Sequence, residues 1–217
     1  MNKPLVIFGN GDIAKLARWY FEKDAARTVA AFAVDREFRS DDEVFGLPLV
    51  DFEEVERQYP PAGYDMFIAL SYRNMNRDRE AKYHAAKEKG YVLPSYVSPR
   101  CTYLAEEPPG DNCFILENNI IQPFVEIGCN VTLWGGVHLC HDSVVGDHVF
   151  IASQAVVSGC VSIGNNCFVG INATLRNGIS IAPFTTIGAG ALVMKSTQEN
   201  QTLVGGRARL LKDGILL

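Results

Sequence analysis

The stretch Ile115–Val193 reads ILENNIIQPFVEIGCNVTLWGGVHLCHDSVVGDHVFIASQAVVSGCVSIGNNCFVGINATLRNGISIAPFTTIGAGALV. Every sixth residue, from Ile115, Ile121 and Ile127 through Ile181, Ile187 and Val193, is Ile, Leu or Val without interruption. A period of six is neither the 3.6 of a helix nor the two of a plain strand, and a fixed short period over this length marks a solenoid. The period alone gives regular coiling, with the aliphatic residue expected to point inward. The residue four places on is small or β-branched, as at Val131, Val137, Ser143, Ala155 and Ala173, which suits a crowded interior. Gly follows the aliphatic residue at 128, 146, 164, 170 and 188, and is expected there to supply turn conformations.

Upstream the pattern changes. Pro4 to Phe8 is a short apolar run, expected to be a buried strand. Gly9-Asn10-Gly11 follows, then an amphipathic stretch from Asp12 to about Asp24 with Ile13, Leu16, Ala17 and Tyr20 on one face. Thr28 to Val34 and Tyr64 to Leu70 read as strands, Phe52 to Tyr59 as a short helix, and Asn74 to Lys89 as a polar helix stopped by Gly90. Alternating strands and helices imply a small parallel α/β sheet over residues 1–94. Residues 95–217 hold the repeat, preceded by the Pro- and Gly-containing loop Ala105 to Asn112 and closed by a tail.

Composition narrows the function classes. The net charge of −5 comes without a basic cluster, which disfavours nucleic-acid binding. No apolar stretch reaches membrane-spanning length and no signal-peptide core is visible, so a cytoplasmic protein without a membrane partner is expected. The six cysteines form no CxxC pair and read as small buried hydrophobes.

The repeat resembles the left-handed β-helix acyltransferases. The segment VIFGNGDIAKLA at residues 6–17 makes the chain most similar to the group that fuses a small nucleotide-binding domain to that helix, which includes nucleotide-amino-sugar N-acetyltransferases and the sialic acid O-acetyltransferase type. The resemblance implies a Rossmann-like α/β domain followed by a left-handed parallel β-helix, with three hexads per 18-residue coil. It also implies a homotrimer with active sites between subunits, acetyl-CoA as cosubstrate and no metal. Residues 18 apart then stack: His141 over Gly159, Asn177 and Lys195; Ser153 over Ile171 and Ala189; Asn130 over His148 and Asn166.

Acyl transfer from a thioester needs a base, an oxyanion donor and a groove for the pantetheine arm. By resemblance His141 is the base and Asp142 its acidic companion, and imidazole titrates in the right range. Gly159 matches the glycine whose amide faces the thioester carbonyl. Ile171 and Ala189 match groove positions for coenzyme A. Phe150, also a coenzyme A position, departs from relatives that carry a polar or histidine side chain there. The tail VGGRAR is similar to a family ending, with Arg207 where a proline is usual. His138 is a weaker substrate-contact candidate, and His148 reads as part of a polar turn ladder with Asn130 and Asn166.

Gly9-Asn10-Gly11-Asp12-Ile13-Ala14 fits G-x-G-x-x-A between a strand and a helix, and Asp35 ends the next strand. A full dinucleotide fold needs two mononucleotide halves, and residues 1–94 make only about one and a half. The loop is therefore expected to hold the nucleotide of a sugar nucleotide through Gly9, Asn10, Gly11 and Asp12. Asp35 would accept from ribose or base, and Ser71 would line the same crevice. The leading expectation is N-acetylation of a nucleotide-linked amino-deoxy sugar that feeds polysaccharide synthesis. O-acetylation of a sugar hydroxyl is the nearest rival. A hexapeptide-type zinc carbonic anhydrase, a non-catalytic scaffold and an NAD-dependent oxidoreductase stand further off.

Overall fold

A computed structural model describes residues 3–206. The N-terminal part is a five-stranded sheet built from β1 (Leu5–Phe8), β2 (Val29–Val34), β3 (Glu43–Val44), β4 (Leu47–Asp51) and β5 (Asp65–Ile68). Its helices are α1 (Asp12–Lys23), α2 (Val55–Gln58) and α3 (Arg77–Glu88). The order is β3-β4-β2-β1-β5, parallel except for the β3–β4 pair. The chain leaves β1 for β2 on one side and returns to β5 on the other, so the carboxyl ends of β1, β2 and β5 surround a topological switch point. The β3–β4 hairpin has no clear sequence signal for two reasons. Pro48 interrupts the strand pattern, and the two left-handed turn residues are Phe45 and Gly46 rather than Asn-Gly. The expected helix from Asn74 starts only at Arg77, because Asn74, Met75 and Asn76 all adopt positive φ.

From Tyr96 onward two-residue strands coil into a prism with parallel faces of seven, six and four strands. Every pair from the strand at Tyr96–Val97 to that at Leu192–Val193 is offset by 18 residues, as in Phe114↔Thr132, Thr132↔Phe150 and Phe150↔Phe168. The aliphatic residues and their small companions form one continuous buried core. Coiling begins one turn before the uninterrupted run, with Val97 and Tyr103 packed against the core; Pro109 breaks the aliphatic pattern at the next position.

The turns correct one expectation. The left-handed residue stands three places before each inward aliphatic residue, in three columns of 18-residue spacing. One corner has Asn112, Asn130, His148, Asn166 and Phe184; the next has Asn118, Gly136, Gln154, Asn172 and Gly190; the third has Phe124, Asp142, Cys160 and Gly178. Asn and Gly tolerate this conformation best. The glycines that follow the aliphatic residues are not left-handed. They are needed because coils approach closely: a Cβ on Gly170 would stand 2.6 Å from Ala189 N, and one on Gly164 2.7 Å from Pro183 N. The cysteines also differ from expectation, since Cys160 occupies a corner and is exposed, whereas Cys113 and Cys167 are buried.

The two parts share a core. Tyr96, Phe114, Leu116 and Trp134 on the seven-stranded face pack with Leu5, Ile7, Phe67 and the α1 residues Ala17 and Phe21. Asn112 joins the sheet edge by accepting from Ile68 N at 2.8 Å and donating to Ile68 O at 3.3 Å. Arg79 on α3 is 1% exposed. It donates to Asn130 O, to His148 O at 2.9 Å and to Asn76 Oδ1 at 2.8 Å, while Asn76 donates to Asn166 O and Cys167 O. Burial lowers the Arg79 guanidinium to about 10, which leaves it charged at neutral pH. Arg79→Met keeps the volume and orphans these acceptors, so it is expected to cost about 3 kcal/mol or more. Denaturant unfolding checks this, and a midpoint within error of wild type contradicts it.

Candidate functional site

Two sites take shape, one on a corner of the prism and one at the sheet's carboxyl edge. At the corner between the six- and four-stranded faces, His141 Nδ1 lies 2.7 Å from Asp142 Oδ2, and both side chains are more than half exposed. Asp142 is the left-handed residue of its turn, which swings its carboxylate back to the neighbouring ring. The His141 backbone N–H donates to Gln122 Oε1 at 2.9 Å. A Cβ on Gly159 would stand 2.6 Å from His141 Nε2, so the ring is seated directly on this glycine, in the expected column. Among the described residues the Gly159 N–H has no acceptor, while its carbonyl accepts from Gly178 N at 3.0 Å. Cys160, which no motif in the sequence points to, brings its thiol to this pair.

Ile171 and Ala189 are exposed and stack as expected, on the corner between the seven- and six-stranded faces. That corner is not the one that carries His141; the six-stranded face separates them. Phe150 sits on the seven-stranded face, 3% exposed, among Trp134, Phe168 and Tyr72. Nine residues are half of an 18-residue coil, so Phe150 lies across the prism from His141. Arg207 lies outside the described residues.

At the sheet, a cavity of about 600 Å³ opens at the carboxyl ends of β1, β2 and β5. Gly9, Asn10, Asp35 and Ser71 line it together, with Phe38, Arg73 and Lys82 added. Gly9 has φ +124 and a Cβ there would meet Ala69 O at 2.9 Å, so the tight approach after β1 requires glycine. Gly11 caps α1 and Asp12 opens it; both are exposed and neither lines the cavity. Asp35 pairs with Lys82 Nζ at 2.6 Å. Lys82 sits in a charge-rich helical run that reads as a solvated face, and only the packing of α3 against the sheet brings it here.

The weaker histidines separate. His138 stands in a strand of the six-stranded face, and its buried Nε2 has no partner among the described residues. His148 is buried, in the expected ladder. Asn130 Oδ1 accepts from Asn112 Nδ2 at 2.8 Å, which turns Asn130 Nδ2 towards His148 Nδ1 at 2.9 Å. The His148 Nδ1 lone pair is therefore used and its proton lies on Nε2, 3.7 Å from Glu80 Oε1. Glu80, His84 and His148 come close enough to hold a metal ion, but an Nε2–H is the wrong tautomer for a ligand. Burial, with Arg79 adding to it, lowers the His148 pKa, while Glu80 and Asp147 oppose the shift and His84 supports it. An unfolded histidine titrates at about 6.5, so the unfolded chain takes the proton first. The stability from neutral His148 is thus complete above that pH and is lost as pH falls below it. His148→Asn suits the left-handed turn and should flatten the fall in melting temperature between about pH 7 and 5; parallel curves contradict this.

Among the described residues, no helix is long and apolar enough to cross a membrane. Residues 124–159 match the family described as bacterial transferase hexapeptide (six repeats). UDP-3-O-acylglucosamine N-acyltransferase 2 of Sulfurimonas denitrificans is 28% identical over 115 residues, which cover 45% of this chain and 36% of that protein. Mitochondrial γ carbonic anhydrase 1 of Arabidopsis thaliana is 34% identical over 74 residues, covering 33% of this chain and 26% of that one. The chain thus matches well under two thirds of either relative's length. Among solved structures, the acetyltransferase domain of PglB from Neisseria gonorrhoeae superposes with TM-score 0.83 at 22% identity, covering 97% of this chain and 100% of that one. A variant of the perosamine N-acetyltransferase of Caulobacter crescentus, solved with CoA and GDP-perosamine, gives 0.81 at 23%, covering 97% of each. Residues 124–159 are therefore hexapeptide repeats of the bacterial transferase type, and the chain has the fold of those two structures, an N-terminal α/β domain on a left-handed parallel β-helix.

Proposed function

We propose that this protein transfers an acetyl group from coenzyme A to the amine of a nucleotide-linked amino-deoxy sugar. The observation that carries the reading is the His141–Asp142 pair seated on Gly159, whose amide is free among the described residues. Asp142 at Nδ1 holds the tautomer in which His141 Nε2 bears a lone pair. That nitrogen takes the proton as the amine attacks the thioester carbonyl. The Gly159 N–H donates to the oxyanion, and coenzyme A leaves as the thiol. The column of Ile171 and Ala189 supports the pantetheine arm, and the cavity of Gly9, Asn10, Asp35 and Ser71 takes the nucleotide. The nucleotide-sugar ligand of the Caulobacter structure and the acetyltransferase fold support this reading.

His141 and the coenzyme A column sit on different corners, and the cavity adjoins the seven-stranded face with Phe150. One chain therefore does not gather all three. We infer that neighbouring copies complete each site, as in a cyclic homotrimer, with the cavity-bearing side of one copy beside His141 of the next; Phe150, buried under Tyr72, backs that side and does not itself touch coenzyme A. A cytoplasmic place and a role in supplying polysaccharide synthesis belong to the same reading.

Release of free coenzyme A from acetyl-CoA against a panel of nucleotide-linked amino sugars tests it. One amino sugar should turn over, and His141→Ala should lower kcat by about a hundredfold or more. Activity with hydroxyl sugars alone would move the reaction to O-acetylation, and no turnover with either class would overturn the reading. Gly159→Ala presses a methyl against side chains alone, those of His141 and Asn177, so its melting temperature should stay near wild type while kcat falls by about a hundredfold. Full activity in that variant would remove Gly159 from the site.

A further inference from the structure

Beside the cavity lies an aromatic surface that the chemistry above leaves unused on its N-terminal side. Ser71 and Arg73 line the cavity, and Tyr72 between them turns its ring on to the coil. Its centroid is 4.5 Å from that of Phe168 and 5.1 Å from that of Phe150. Phe150 and Phe168 occupy the same position in successive coils and stack at 5.7 Å with 26° between planes. Backed by both rings, Tyr72 still leaves 50% of its surface bare. Among the described residues its hydroxyl makes no hydrogen bond. The segment behind it is held firmly, because Asn76 donates to Asn166 O and Cys167 O at 3.2 and 3.1 Å.

The strand order sets the direction of a bound ligand. Asp35 and Phe38 come after β2, the Gly9-Asn10 turn after β1, and Ser71, Tyr72 and Arg73 after β5, with β1 between the other two. Phe38 is 61% exposed and offers a face for a base beside Asp35. The Asn10 amide of the central turn, with Arg73, suits the diphosphate, the Gly9 amide being donated to Ala33 O. The sugar, joined to the far phosphate, then arrives at Tyr72.

We propose that Tyr72, backed by Phe168 and Phe150, is the platform on which the hexose ring of the sugar nucleotide stacks. This rests on the nucleotide reading of the cavity. A deoxyhexose has a continuous C–H face that matches a flat ring, and the free Tyr72 hydroxyl offers one hydrogen bond at its rim. The platform also carries the sugar towards Phe150, on the side where the neighbouring copy's catalytic corner would approach.

Calorimetric titration of wild type, Tyr72→Phe and Tyr72→Ala with GDP, GDP-perosamine, UDP and a UDP-linked amino-deoxyhexose tests this. Wild type should bind one conjugate more tightly than its own nucleoside diphosphate. Tyr72→Ala should lose roughly tenfold in affinity for that conjugate and none for the diphosphate, while Tyr72→Phe stays close to wild type for both. Unchanged diphosphate binding also reports that the variant is folded. The proposal is overturned if Tyr72→Ala keeps the preference for the conjugate, if it weakens both ligands equally, or if wild type shows no preference. Absence of any diphosphate binding to wild type would instead remove the nucleotide reading, and the platform with it.

Discussion

Stacking coils at an offset of 18 residues is the constraint on which the molecule depends. Parallel strands hydrogen-bond at about 4.8 Å, so each residue meets its counterpart one coil away at that spacing. This has three consequences. The inward position must be aliphatic, because it faces its own kind above and below. The corner residue must accept a left-handed backbone, which selects Asn and Gly and tolerates Asp142, His148 and Cys160. Where coils come closest, only glycine fits. The site at His141 inherits two of these: its partner carboxylate comes from a left-handed corner, and its ring rests where Gly159 has no side chain.

The same stacking presents a column of carbonyls to the N-terminal part. Asn130 O and His148 O accept from Arg79, and Asn166 O from Asn76, so helix α3 is fastened to the coil by one buried guanidinium and one amide. That helix also supplies Lys82 to the cavity at the sheet's carboxyl edge, and the segment before it supplies Ser71 and Arg73. The cavity wall and the coil are therefore one mechanical unit. A buried His148 in this seam ties its stability to pH, with Asn130 on one side and Glu80 on the other.

These interactions decide how much of the molecule is legible in its sequence. The period of six is readable because every inward position obeys one rule, and the stacking of His141 on Gly159 comes from counting 18. The cavity's Gly9, Asn10, Asp35 and Ser71 are readable because ligands gather at strand carboxyl ends. The role of the repeated glycines is not readable, since close approach and left-handed turns select the same residue. Arg79, Lys82 and Tyr72 are hidden for another reason: their neighbours are tens of residues away, and nothing local distinguishes a buried arginine from an exposed one. The first coil is hidden by Pro109, and strand β4 by Pro48.

The central claim is that the base and the nucleotide cavity serving one reaction come from different copies of the chain. Co-purified mixed oligomers test it most directly, with one chain carrying His141→Asn and the other Ser71→Asp, which places a carboxylate in the cavity. Each variant alone should be inactive in acetyl transfer. If sites form between copies, a random equal mixture should recover about a quarter of wild-type activity, because each site then needs one intact partner of each kind. Mixed oligomers as inactive as the separate variants would place base and cavity within one chain and contradict the account.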